Sequence, residues 1–274
     1  MNTATPAPPL APGAGTGLLP LVGGILRSEA RKLHTVRSTW WILLAGFTFT
    51  VATAALLGAL LPAHLSIQQK TTIDAVRVSL GGLHLSQITA GLLGVLAITS
   101  EYSSGMIRAT LAAVPQRRLL ITAKAGILTA AVAATSIAGC FAAYLVFQAL
   151  LPAADPMRST LAAPGVARAV TGAGLYLTVL ALLGFGLGTA LRSSAAAVAA
   201  LFGLLFVPTL LTALLPQAWQ DRIAGYLPMN AGDAVYTTRP EAHMLAPWTG
   251  LAVFTAYAAI ALAAGFTLIT RRDA

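Results

Sequence analysis

The chain of 274 residues is 57% hydrophobic and only 9% charged, whereas soluble domains carry about 25% charged residues. This composition excludes an ordinary soluble protein and predicts an integral membrane protein. The formal net charge of +9 does not indicate nucleic-acid binding, because basic residues also mark the cytoplasmic loops of membrane proteins. The only cysteine, Cys140, excludes an internal disulfide.

The N-terminal residues 1–20 predict a disordered tail. Pro6, Pro8, Pro9 and Pro12 lie here among Ala, Gly and Thr, and no side chain is charged. This composition does not favour a packed structure. The basic start and apolar run of a signal peptide are also missing before Leu18. The remaining residues, 21–274, are predicted to form one membrane domain.

The next segment, 21–36, predicts an amphipathic helix at the membrane interface. Apolar side chains recur at helical spacing opposite Arg27, Arg31 and Lys32. Glu29 lies on the apolar side, so we expect it to pair with a base such as Lys32, three residues later. One function that this helix could have is that of an ordinary basic anchor that binds anionic lipid.

Six apolar runs are each long enough to cross a hydrocarbon core of roughly 30 Å. Their predicted bounds are 40–61, 83–100, 119–151, 170–191, 195–215 and 248–270. We expect Lys124, near the start of the third run, to extend its ammonium group to the lipid headgroups. Gly184 and Gly188, four residues apart in the fourth run, predict close packing against another helix.

The distribution of charge predicts that both termini lie in the cytoplasm. With this orientation the inner segments carry 11 basic and 3 acidic residues, a net charge of +8. The outer loops carry 6 basic and 5 acidic residues, a net charge of +1. A multi-pass protein of the plasma membrane is therefore expected.

The segment 98–124 between the second and third runs is polar and strongly basic. It contains four basic residues and a single acidic residue, Glu101. The basic residues are Arg108, Arg117, Arg118 and Lys124. Apolar residues recurring at spacings of three and four predict a short helix over 101–114, which Pro115 would end. On these grounds the helix is either a docking surface for a cytoplasmic partner or a plain connector.

The order of residues in this segment resembles the loop after the second span of type-2 ABC transporter permeases. The matching residues are Glu101, Tyr102, Gly105, Arg108, Leu111, Pro115, Arg118 and Lys124. Met106 stands where the family usually has Thr or Ser. The resemblance implies a cytoplasmic coupling helix that docks on a separate ATPase subunit. It assigns the coupling role to Glu101, Tyr102, Gly105, Arg108, Pro115 and Arg118.

Outside this segment the resemblance is one of general pattern, and it extends over 26–270. It implies an all-α, six-helix domain that acts as half of an ATP-driven exporter of a drug, peptide or lipid-like substrate. A second copy or a related permease would complete the path. The loop 216–247 would form the family's hairpin of short helices, although a plain outer loop also fits its sequence. No cofactor is expected on this chain, because the ATP would be bound by the partner subunit.

Missing motifs limit the other function classes. Ion-driven carriers usually require an ionisable side chain inside the membrane. No Asp, Glu, Lys or Arg falls near the middle of a predicted span of this chain. None of the three lysines follows a glycine, so the chain lacks a P-loop. Two alternatives stay open: a membrane anchor or sensor subunit that recruits a cytoplasmic partner, and an intramembrane enzyme, for which no catalytic constellation is evident.

Overall fold

A computed structural model describes residues 18–106, 117–212, 214–239 and 244–271. Over these ranges it is helical and contains no strand. The helices are α1 (Leu18–Thr35), α2 (Arg37–His64), α3 (Ile67–Thr72), α4 (Ala75–Ser79), α5 (Leu83–Ser103), α6 (Arg117–Leu150), α7 (Val166–Leu191), α8 (Ser194–Thr212), α9 (Gln217–Ile223), α10 (Pro228–Asp233) and α11 (Pro247–Arg271). Most of the predicted tail lies outside the described residues, and α1 begins three residues before the expected domain boundary.

Six of these helices, α2, α5, α6, α7, α8 and α11, are long and apolar enough to span a membrane. This confirms the predicted all-α architecture with six membrane-spanning helices. The most buried of the six is α7, which packs against α5, α6, α8 and α11. Its side chains Tyr176, Leu180 and Phe185 are almost completely buried. The domain is therefore built around α7.

Glycines bring α5 and α7 into their close contact, the most extensive of any helix pair in the described ranges. A Cβ atom added to Gly184 would lie 2.6 Å from the carbonyl oxygen of Gly91, and one added to Gly188 would lie 3.1 Å from another carbonyl oxygen of α5. Gly94 of α5 approaches the backbone of Ala181 more closely still. The contact thus depends on glycines of both helices, and the sequence pattern indicated only those of α7.

Between α8 and α11, the described residues 214–239 form short helices and turns that lie beside α7. Gly232 packs on the ring of Tyr176, and Gly172 packs on Val235. Tyr176 lies ten residues from the start of α7, which corresponds to about 15 Å along the helix. The described part of this segment therefore forms short helices rather than a plain loop.

Asp74 joins the end of the segment 214–239 to the segment between α2 and α5. Its carboxylate caps α4 by accepting from the amides of Val76 and Arg77, both at 3.1 Å. It also accepts from the amide and hydroxyl of Thr238, both at 2.7 Å, and from the amide of Arg239 at 3.0 Å. Burial favours the protonated form, but these donors outweigh burial and lower the pKa of Asp74.

Replacing this carboxylate should cause a loss of stability that depends on pH. Because the pKa of Asp74 is depressed in the folded state, its ionised form stabilises the fold above about pH 4, the unfolded value, and this contribution is lost as the pH falls through the folded value. We expect Asp74→Asn to lower the free energy of unfolding by roughly 1–3 kcal/mol at pH 7. The difference from the parent should shrink below pH ~4.

Thermal unfolding of the purified chain in detergent, followed by helical circular dichroism across this pH range, measures the effect. Asp221→Asn, at an exposed acid of α9, is the matched control and should change little. A destabilisation by Asp74→Asn that is equal at all pH values would contradict the role assigned to the ionised carboxylate.

Candidate functional site

Four charged side chains from α1, α5 and α6 meet at the end of the bundle opposite Asp74. Lys124 Nζ donates hydrogen bonds to Glu29 Oε2 at 2.6 Å and to Glu101 Oε1 at 2.7 Å. Lys32 Nζ donates to Glu29 Oε1 at 2.7 Å and to Glu101 Oε1 at 3.2 Å. We call Glu29, Lys32, Glu101 and Lys124 the charge cluster. It ties three helices together through alternating charges.

The charge cluster is largely removed from solvent. Glu29, Glu101 and Lys124 are 3%, 5% and 8% exposed, whereas the side chain of Lys32 is 35% exposed. The apolar face of α1 explains this burial, because Ile25 packs with Leu120 and Ala123 of α6. Glu29, one turn after Ile25 on the same face, is thereby turned toward α6. Buried charges of this kind persist only when each is paired.

The electrostatics of α1 agree with this pairing. Burial would raise the pKa of Glu29, but the nearby ammonium groups of Lys124 and Lys32 outweigh it and lower the pKa. Burial would likewise lower the pKa of Lys32, but the carboxylates of Glu29 and Glu101 outweigh it and raise the pKa. Both side chains are therefore held in their ionised forms at neutral pH.

The position of Glu101 differs from the prediction. It was expected in the first turn of a new cytoplasmic helix, but it lies in the last turns of α5, which continues to Ser103. The break comes at Gly105, whose φ of +70° is a left-handed conformation that favours glycine. Residues before this glycine extend α5 because nothing interrupts its hydrogen bonds. The expected start of the coupling helix at residue 101 is therefore wrong.

The other coupling residues are distributed around this helix end. Tyr102 lies beneath the guanidinium of Arg192, whose carbon is 5.5 Å from the ring centre, an arrangement typical of a cation–π contact. This contact joins the ends of α5 and α7. Arg118 is exposed at the start of α6. Arg108, Pro115 and the rest of the predicted helix over 107–114 lie outside the described residues.

The α1 residues separate into two groups. Glu29 and Lys32 form the expected pair three residues apart and both belong to the charge cluster. Arg27 and Arg31 are exposed on the opposite side, as the amphipathic pattern predicts. These two side chains are available to solvent or to headgroups.

Lys124 does not reach the lipid headgroups, and that prediction is wrong. Its ammonium group instead points to two carboxylates, one of them 95 residues away in the chain. The sequence did contain a signal for this pairing. Glu29 lies on an apolar face and Lys124 follows the apolar run Leu119–Ile121, and such charges need partners when they are buried.

The chemistry available at the cluster is that of paired charges. Among the described residues there is no group of three or more His, Cys, Asp or Glu side chains that could hold a metal ion. Glu101 is notable because its second oxygen, Oε2, is buried and has no hydrogen-bond partner in the described part of the chain. The cluster can therefore hold α1, α5 and α6 together, and its Glu101 can accept one more hydrogen bond.

Comparison of the chain with models of known protein families and with curated proteins found no match.

Proposed function

We propose that the chain is the membrane-spanning permease subunit of an ATP-driven exporter of the type-2 ABC class. It lies in the plasma membrane with both termini in the cytoplasm, and a separate subunit binds and hydrolyses ATP. Three features support this proposal: six apolar helices, the excess of basic residues in the segments predicted to face the cytoplasm, and the resemblance of the segment 98–124 to the coupling loop of that family.

The observation that carries the proposal is the position of the charge cluster on both sides of the segment 104–116. Glu101 precedes this segment and Lys124 follows it, and their side chains are joined at 2.7 Å. Both are also joined to α1, through Lys32 at 3.2 Å and Glu29 at 2.6 Å. A displacement of the segment is therefore transmitted to α1, α5 and α6 together rather than bending one helix alone.

This arrangement suits a subunit that receives mechanical work from a cytoplasmic partner. The ATPase docks on the segment, with Arg108 and Arg118 among the contacts that the family resemblance assigns. Movement of the ATPase subunits upon ATP binding then shifts α1, α5 and α6, the three helices that the charge cluster joins. The substrate, a drug, peptide or lipid-like molecule, passes along a path formed with a second copy or a related permease.

Reconstitution tests the proposal. The chain is purified in mild detergent with its associated ATPase, and vesicles with and without that subunit are compared for substrate flux. We expect flux only when both subunits and ATP are present. The chain alone should neither hydrolyse ATP nor respond to a proton gradient. Proton-driven flux by the chain alone would overturn the proposal, and recruitment of a partner without any flux would favour an anchor or sensor subunit.

A further inference from the structure

A cavity of about 280 Å³ lies beside the charge cluster, between α1, α2, α5 and α6. All four cluster residues line one part of it. The rest of its wall is largely apolar and includes Ile42, Leu93, Leu96, Ala97, Ile127 and Leu128. The cavity therefore offers charged hydrogen-bonding groups at one place and hydrocarbon at another, which is the pattern of a site for an amphiphile.

Glu101 defines what the polar part of the cavity requires. Only 5% of its surface is exposed to solvent, and its Oε2 atom has no hydrogen-bond partner in the described part of the chain. A buried carboxylate oxygen without a donor is strongly unfavourable. The other oxygen, Oε1, already accepts from both Lys32 and Lys124. The occupant must therefore bring a hydrogen-bond donor for Oε2.

The charge of the cluster limits the occupant further. Two carboxylates and two ammonium groups sum to zero, so a charged headgroup would add a buried charge without a counterion. A neutral donor satisfies Oε2 without that cost. A hydroxyl group can also accept a hydrogen bond, and each ammonium has three N–H groups, of which two bond to the cluster carboxylates.

We propose that this cavity binds a neutral, single-chain amphiphile through a headgroup hydroxyl. The hydroxyl donates to Glu101 Oε2, and the hydrocarbon chain lies along Leu96, Ala97 and Ile127. The volume lies just below the roughly 300–1,000 Å³ of typical small-molecule sites, so it takes one hydrocarbon chain rather than the two of a membrane diacylglycerol. Binding requires neither ATP nor the partner subunit, so it is independent of the proposed transport function.

Photoaffinity labelling of the full chain in lipid nanodiscs tests the proposal. The probe is a long-chain alcohol that carries a diazirine on its hydrocarbon chain, and the labelled residues are mapped by mass spectrometry. We expect saturable labelling of cavity residues that unlabelled decanol displaces. Decyl methyl ether, which keeps an acceptor but lacks the donor, should compete at least ~10-fold less well. Decylamine, decanoate and dioleoylglycerol should also compete poorly.

Two substitutions complete the test. Ala97→Phe fills the cavity without replacing a residue of the charge cluster and should abolish the labelling, whereas Ala134→Phe at an exposed position of α6 should preserve it. If Ala97→Phe does not fold, the competition by decanol and by its methyl ether, measured on the unsubstituted chain, still tests whether a hydroxyl donor is required. Equal competition by the alcohol and the ether, stronger competition by the amine, or labelling that does not saturate would overturn the proposal.

Discussion

Lys124→Met is expected to destabilise the protein strongly while leaving the length of the side chain almost unchanged. The substitution removes the ammonium group that bonds both Glu29 and Glu101, which then stay buried with only Lys32 as a partner. Removing one partner of a buried ion pair typically lowers the free energy of unfolding by about 3–5 kcal/mol. Thermal unfolding of the purified chain in detergent measures this loss.

A compensated variant separates lost charge pairing from lost packing. Adding Glu29→Gln and Glu101→Gln to Lys124→Met removes the unpaired charges, so this triple variant should recover most of the lost stability. Arg118→Met, at an exposed position of the same helix, is the matched control and should change stability by less than about 0.5 kcal/mol. If Lys124→Met is no more destabilising than Arg118→Met, the cluster does not hold the three helices together.

Gly94→Ala should disrupt the central helix contact. The new methyl group would run into the backbone of Ala181, which cannot move away as a flexible side chain could. Helices α5 and α7 must then separate, and overpacking in a close-packed interior typically costs about 1–3 kcal/mol. The expected result is a lower yield of folded protein and a lower unfolding temperature in detergent.

Gly126→Ala provides the matched control for this prediction. Gly126 also lies within a membrane-spanning helix, but an added Cβ would meet nothing within 4 Å. Since glycine disfavours a helix relative to alanine by roughly 0.5–1 kcal/mol, this control should be neutral or slightly stabilising. Equal stability of the two variants would show that the close approach at Gly94 does not limit packing.

The membrane spans could be predicted because hydrophobic length is a local property. The fourth span was expected over 170–191 and is Val166–Leu191, and the fifth was expected over 195–215 and is Ser194–Thr212. A run of apolar residues must be about as long as the bilayer is thick, so composition alone fixes its approximate ends. Contacts between spans do not enter this reasoning.

The site was predicted only in part because its contacts join distant residues. The Glu29–Lys32 pair follows from helical spacing, whereas the Lys124 pair with Glu29 connects residues 95 apart and depends on how α1 packs on α6. The position of Glu101 is hard to predict, because apolar residues recur at helical spacing on beyond Ser103, the last residue of α5. Gly91 and Gly94 were overlooked because they are three residues apart, whereas the packing pattern that revealed Gly184 and Gly188 has a spacing of four.

In the proposed exporter, the charge cluster passes the movement of a docked ATPase to the membrane helices. Glu101→Gln tests it most directly, because the change keeps the size of the side chain and removes the charge that binds Lys32 and Lys124. The measurement is substrate flux and ATPase turnover in vesicles that contain both subunits at matched amounts. At matched amounts of inserted protein, we predict strongly reduced export and ATPase turnover that no longer responds to substrate. Export equal to that of the parent chain would show that the charge cluster does not couple the ATPase to the membrane helices.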